Sequence, residues 1–204
     1  MSRLLGLAAA GALLLAACSD DGGGTATGDG GVGPDSSGLC AVDPSYGDVG
    51  TVSSSTSAAI RFDDQDSGLA KSITYIGALN SDQDQVVIQL YRGYSVFTNG
   101  AIATGSYKIE GDELNYASCG VCVRMFADRL LGGGQPTQDM MATGGTLIVT
   151  ELGEAGSGSF KAELRDATFE HVRIDGMSFE SRPVGDGCTT AISHLGADTP
   201  MANP

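Results

Sequence analysis

Cys119-Gly120-Val121-Cys122 is the most chemically suggestive spacing in the chain. A Cys-x-x-Cys pair exchanges disulfides when a helix N-terminus lowers its thiol pKa. It can also supply half of a four-cysteine zinc site, given a second close pair. The sequence meets neither condition: Tyr116-Ala117-Ser118 and Val123-Arg124-Met125-Phe126 read as strand, and Cys40 and Cys188 stand alone. Structural disulfides are therefore expected among Cys40, Cys119, Cys122 and Cys188, an even set. Along a strand, residues three apart are separated by ~10 Å and point to opposite faces, whereas a disulfide needs Cα atoms within about 7 Å. Cys119 and Cys122 can join each other only if Gly120 breaks the strand. If the strand runs through, they bond to Cys40 and Cys188. This long-range pairing is favoured, because it staples both irregular ends of the domain and closes long loops.

The carboxylates suggest metal or acid–base chemistry. Asp63, Asp64 and Asp66 precede Ser67-Gly68, and Asp82 and Asp84 follow Asn80. A calcium loop of EF-hand type needs Gly at its sixth position and Glu at its twelfth. Counted from Asp64 those places hold Leu69 and Tyr75; counted from Asn80 they hold Gln85 and Tyr91. Both groups read instead as solvated acidic turns. His171 and His194 lack ligand-spaced neighbours, so no metal site is expected. Gly156-Ser157-Gly158-Ser159 has neither the spacing nor the helix of a nucleophile elbow. No zinc-protease, phosphate-loop or dinucleotide motif occurs, and no cofactor or catalytic set is expected. One enzymatic alternative stays open. An envelope-side hydrolase, for instance one acting on glycans, could use distant carboxylates that leave no local trace.

The elements that must position these residues are strands. From Leu39 onward, runs rich in Val, Ile, Tyr, Phe and Thr alternate with turn-forming clusters. Strands are expected at 58–62, 70–79, 85–92, 102–109, 113–126, 143–152, 157–165 and 167–175, with a short one near 189–195. Phe160, Ala162 and Leu164 alternate with Lys161, Glu163 and Arg165, one face apolar and one charged. The apolar parity slips between Phe169 and Val172, and a bulge near His171 would absorb the slip. The fold class is all-β: a β-sandwich of about eight or nine mostly antiparallel strands, with a β-barrel as the alternative. The domain is expected over 39–198, with a disordered tail at 199–204.

If 58–62, 70–79 and 85–92 form a meander, successive hairpin loops lie at opposite ends, so the two acidic groups cannot share one ion. The same parity gathers 63–69, 93–101 and 127–142 at one end. Loops held by a rigid scaffold often carry binding residues. Candidate binding residues there are Asp63, Asp64, Asp66, Tyr94, Asn99, Arg129 and Asp139, with Arg92, Gln135, Met140 and Met141 beside them. Gly132-Gly133-Gly134-Gln135-Pro136 also reads as a tolerated flexible loop.

Composition narrows the partners. Among 204 residues, 25 acidic face 11 basic side chains, for a net charge of −14. Nucleic acid is excluded as a partner, since phosphate binding needs clustered cations, and the same balance argues against docking on anionic lipid. With 41% apolar residues the chain can bury a core.

Residues 1–17 read as an export signal. Arg3 precedes an uncharged stretch, Leu4 to Ala17, that would span about 21 Å as a helix, short of the ~30 Å hydrocarbon core. Leu15-Ala16-Ala17-Cys18 resembles the lipobox of bacterial lipoprotein signal peptides. The resemblance implies cleavage before Cys18, lipidation of its sulfur and acylation of its new amine, which together anchor a protein stably. Ser19, rather than Asp, follows Cys18, which by the sorting rule of enteric-type bacteria implies the outer membrane. Residues 18–38 read as the lipidated Cys and a Gly/Asp-rich flexible tether, whose ~20 residues reach about 25 Å.

Beyond the lipobox and tether, the stretches Leu114–Val123, Gly144-Gly145-Thr146-Leu147, Gly158-Ser159-Phe160 and Pro183–Thr189 resemble uncharacterised bacterial lipoproteins that carry a small Cys-containing all-β domain. The chain as a whole reads as a lipid-anchored cell-envelope module with a binding or structural role. Its expected partners are the membrane, through Cys18, and an envelope protein or glycan.

Overall fold

The computed structural model describes residues 40–80, 84–129, 135–202 and 204. The signal sequence, Cys18, the tether, Asp82 and the glycines at 132–134 lie outside the described residues. Ten strands follow in order: β1 (Gly47–Val52), β2 (Ser57–Asp63), β3 (Ala70–Ala78), β4 (Gln85–Tyr91), β5 (Gly105–Lys108), β6 (Val121–Ala127), β7 (Gln138–Glu154), β8 (Ser157–Ile174), β9 (Ser181–Pro183) and β10 (Thr189–Ala202). Two 3-10 turns, Ser95–Phe97 and Gly111–Leu114, interrupt the long connection between β4 and β6. Among the described residues no helix is long and apolar enough to cross a membrane.

All ten strands belong to one mixed sheet, in which β2, β3, β4, β6, β7 and β8 pair antiparallel in succession. β10 then pairs antiparallel with β8 and parallel with β2, so the strand path closes on itself. β1 lies parallel to β10 from Gly47↔Ile192 to Val52↔Ala197, ahead of the short β10–β2 contact at Met201↔Ala59. β5 pairs with the second half of β7, taking over the edge that β6 occupies along the first half. Of the two layouts compatible with the strand pattern, this ring is barrel-like.

Alternation fills the interior. Ile73 and Tyr75 from β3, Ile88 and Leu90 from β4, Met125 from β6, Phe160, Leu164 and Phe169 from β8, and Ile192 and Leu195 from β10 are buried in one continuous core. Tyr75 and Phe160 stack at its centre with centroids 5.5 Å apart. β6 is buried at every position, because its outer face is covered as well. That cover belongs to a second cluster, in which Cys119, Cys122, Met141 and Val172 pack with Tyr91, Tyr116 and Ile174.

This second cluster explains the parity slip. Phe169 packs in the main core and Val172 in the outer cluster, so both alternate positions are buried without a bulge at His171. Pairing around His171 is regular; the register between β7 and β8 shifts between Ala142, Gly144 and Thr146, and again between Val149 and Glu151 and between Leu152 and Glu154. At the first of these, Gly145, at φ +121°, lies where a Cβ would meet Ala167 Cα at 2.8 Å. The two expected strands at 157–165 and 167–175 are one, turning at Asp166 with φ 50°.

Three further expectations are corrected. The tail at 199–204 is strand as far as Ala202: Thr199 and Pro200 pair with β8, and Met201 is buried against the core. The strand expected at 113–126 begins only at Val121, since 111–114 form a 3-10 turn and 115–120 a tight loop. With Gly120 outside any strand, Cys119 and Cys122 approach to 5.3 Å between Cα atoms and pair with each other. Cys40 accordingly pairs with Cys188, across 148 residues. The favoured long-range pairing failed because it assumed an unbroken strand.

Replacing Phe160 by Ala removes the ring stacked on Tyr75 and is expected to cost about 3–5 kcal/mol in denaturant unfolding. Lys161→Ala, next to it on the exposed face, should stay within about 0.5 kcal/mol.

Candidate functional site

An aromatic groove forms on the outer face beside β4 and β6. Tyr91, Tyr94, Tyr116, Ala117, Cys119 and Phe179 line it, and its volume is about 200 Å³. Three of the chain's six tyrosines therefore converge on one place. Tyr91 stands edge-on to Tyr94 and Tyr116, at 6.3 and 6.4 Å between centroids, and Tyr116 edge-on to Phe179 at 6.4 Å. These are favourable aromatic geometries. Tyr94 and Phe179 form a half-exposed rim, at 50% and 55% exposure.

Each wall is set by local backbone chemistry. The loop at 115–120 folds back through Ser118 and Cys119 N–H groups donating to Asn115 O. Gly120 lets the Tyr94 segment approach, since a Cβ there would sit 2.5 Å from the Tyr94 carbonyl oxygen. Glu113, buried in the second 3-10 turn, accepts the Val121 N–H at 2.7 Å and fixes the start of β6. Phe179 stands in the left-handed region at φ 60°, an uncommon conformation for a bulky residue. The Asp175 turn holds it there: Phe179 N–H donates to the Asp175 carbonyl, and the Asp175 carboxylate accepts Met177 N, Ser178 N and Ser178 Oγ. Those N–H groups, Ser178 foremost, keep the Asp175 carboxyl below its ordinary pKa. The turn is docked to the 115–120 loop by Tyr116 N donating to Ser181 Oγ and Ser181 N donating to Asn115 Oδ1.

Beneath Tyr116 lies a stack of cations and rings. The Arg124 guanidinium sits 4.4 Å from the Tyr116 centroid and 4.7 Å from that of Phe126, which Arg129 also covers at 4.7 Å. Arg124 is almost fully buried and is neutralised by Asp139, with Nη2 donating to Oδ1 at 2.5 Å. Burial, and then the hydrogen bond with Tyr116 at 3.2 Å, raise the Tyr91 hydroxyl pKa well above the ordinary tyrosine value. Tyr91 therefore keeps its proton and remains a donor.

The predicted binding residues disperse. Arg92 bonds Asp64 and Ser67, so the loops 63–69 and 93–101 do meet at one end. The loop after β6 lies at the other end, where Asp128 N donates to Asp84 and Gln85 Nε2 to the Arg129 carbonyl. Parity failed because β5 does not intervene between β4 and β6, which pair directly. Tyr94 alone of the seven candidates lines the groove. Asp63 pairs with Arg61; Asp64 caps its own turn, accepting Asp66 N and Ser67 N; Asn99 is exposed; Arg129 and Asp139 belong to the stack. Met140 and Met141 are buried. Asp84 is not a solvated turn residue: it is buried, and accepts Tyr46 Oη at 2.5 Å and Asn80 Nδ2 at 3.1 Å. Tyr91, Tyr116 and Phe179 escaped the sequence reading. The first two read as strand residues and the third fell in an irregular stretch, and no local spacing joins them.

Other places among the described residues also gather ionisable groups of the kind catalysis uses. A cleft of about 380 Å³ between Arg173, Asp175, Glu180, Arg182, Pro183 and Val184 holds two carboxylates. Glycoside hydrolysis requires one carboxyl kept protonated. Here the turn holds Asp175 ionised, and Glu180 is paired with Arg182 at 2.7 Å. His171 Nδ1 bonds Asp186 at 2.6 Å, and Asp186 also accepts Cys188 N. That pair ties β8 to the Cys40–Cys188 disulfide. No group of three or more His, Cys, Asp or Glu that could hold a metal occurs among the described residues. The chain matches no family model, no curated protein and no solved structure.

Asp139→Ala strands the buried Arg124 charge and should cost about 2–4 kcal/mol, somewhat below the range for fully buried pairs; the double change Arg124→Met/Asp139→Leu should cost less than that single one. The Asp186 carboxyl lies below its ordinary pKa, chiefly through its hydrogen bond with His171. Its stabilisation is thus present above about pH 4 and lost as pH falls through the lowered value. Asp186→Asn should flatten the acid limb of the thermal midpoint against pH.

Proposed function

We propose that the chain is an exported, lipid-anchored protein of the cell envelope whose barrel is a binding module, with the aromatic groove as its recognition surface. The groove carries this reading: four aromatic side chains from three separate segments converge on it, and two remain half-exposed after folding. Rigid aromatic rings are the side chains most often used to anchor partners, because they contribute large contact area with few rotatable bonds. The sequence Leu15-Ala16-Ala17-Cys18 supports the anchor, Ser19 the outer membrane, and the stretch 21–38 a spacer between lipid and barrel. The disulfide between Cys40 and Cys188 fits an oxidising compartment outside the cytoplasm. The partner is an envelope protein or glycan.

Two measurements test the reading. A labelled fatty acid fed to expressing cells should be incorporated into the wild-type chain and lost in Cys18→Ser, which should also leave the membrane fraction. An unlabelled wild-type chain would defeat the anchor. Tyr94→Ala and Phe179→Ala should each weaken retention of solubilised envelope material by about tenfold, the size expected for one aromatic contact. Both side chains lie on the rim, so the thermal midpoint should move by no more than about 2 °C.

A further inference from the structure

We infer that the groove binds a neutral saccharide, with one sugar ring held against the rim rings of Tyr94 and Phe179 and its hydroxyls at the Tyr91–Tyr116 pair. This inference rests on the binding-module reading and names the chemistry of the ligand.

Charge disfavours an anionic ligand. The six residues lining the groove are all uncharged, in a chain of net charge −14. Arg124, stacked under Tyr116, is already neutralised by Asp139. A ligand carboxylate or phosphate would find no free cation in the lining and would meet the repulsion of the whole chain. A quaternary ammonium could sit on the ring faces, but it carries no hydroxyl groups to match the Tyr91–Tyr116 pair.

Hydrogen-bonding capacity selects hydroxyl groups. The Tyr91 and Tyr116 hydroxyls lie 3.2 Å apart, so one donates to the other. With the Gln89 side chain also bonded to the Tyr91 hydroxyl, the pair retains one O–H donor and the lone pairs that neither bond uses. A ligand that satisfies both roles must donate and accept at neighbouring atoms, as two adjacent sugar hydroxyls do. A proline-rich peptide also docks in aromatic-lined grooves. Its proline residues offer only carbonyl acceptors, so they would use the one O–H donor and leave the tyrosine lone pairs to the N–H of any non-proline residue.

Size and shape agree. At about 200 Å³ the groove is smaller than the ~300 Å³ at which sites for drug-sized ligands begin, and suits a single ring. The negative faces of aromatic rings attract the weakly positive C–H face of a sugar, while the hydroxyls around its edge reach polar groups. The backbone that carries the rim rings is set before any ligand arrives, at Tyr94 by the close approach over Gly120 and at Phe179 by the Asp175 turn, and each ring stands edge-on to a neighbouring tyrosine. Little ordering remains to be done on binding.

The test is an array of neutral oligosaccharides and their acidic counterparts probed with the full chain in detergent, followed by calorimetric titration of any hit. Binding to neutral members, little changed between low and high salt, is the expected result. Tyr94→Ala and Phe179→Ala should each weaken it about tenfold. Tyr91→Phe, which keeps the ring and deletes the hydroxyl, should weaken it several-fold while lowering the thermal midpoint by no more than about 4 °C. Absence of any saccharide binding at about 10 mM, a concentration that would still reveal millimolar affinity, binding confined to acidic members, or tighter binding of a proline-rich peptide library overturns the inference. Periodate, which cleaves adjacent diols, separates this inference from the reading beneath it. Should wild type still retain periodate-treated envelope material while Tyr94→Ala does not, the groove binds something other than a saccharide. Should Tyr94→Ala and Phe179→Ala retain everything wild type retains, the groove is not the recognition surface at all.

Discussion

The ladder between β8 and β10, running from Thr189↔Glu170 to Pro200↔Ser159, occupies one edge of β10 along nearly its whole length. The opposite edge takes β1 and then β2 in parallel, and those contacts turn an open antiparallel sheet into a ring. Closure leaves only β1, β5 and β9 paired on a single side, where an open sheet of this size would have longer edges to protect. It also gives Phe160, Leu164 and Phe169 of β8 an interior to fill, bounded by Tyr75 of β3 and Leu195 of β10. The C-terminal residues through Ala202 are therefore structural. Their Pro and Gly content reads as a tail only while their partner strands are unknown.

The groove is a product of the long connection between two directly paired strands, β4 and β6. Between β4 and β6 the chain travels from Arg92 to Gly120, sending β5 to the distant half of β7 and then folding 115–120 back over the outer face. A strand pair normally joined by a short hairpin is joined instead by a segment long enough to make a second apolar layer. Tyr116, the Cys119–Cys122 pair and the β8–β9 hairpin close that layer over Cys122 and Met141. The groove is the seam where the two covering segments meet.

Most of the strand content was legible because burial on one face writes a period of two into the sequence, as at Phe160, Ala162 and Leu164. β2, β3 and β4 fall within two residues of the expected limits. What was illegible has physical causes. β1 is punctuated by Gly47 and Gly50, both at positive φ, and β9 is three residues long, so neither shows alternation. Ring closure is written in pairings between residues distant in the chain, such as Met201 with Ala59. Of the groove, Tyr94 was visible as an aromatic residue in a loop. Tyr91, Tyr116 and Phe179 were not, because each satisfies an ordinary local pattern and only the fold brings them together.

The bond between Cys40 and Cys188 also has a mechanical meaning. Any pull along the chain from upstream enters the described domain at Cys40, and the covalent link passes it directly to the residue preceding β10. The segment between the two cysteines forms a closed loop lying outside that line of force. A load that enters there reaches the start of the strand that closes the ring, whose ladder with β8 runs from Thr189 to Pro200. The disulfide thus hands the load to β10 without passing it through β1.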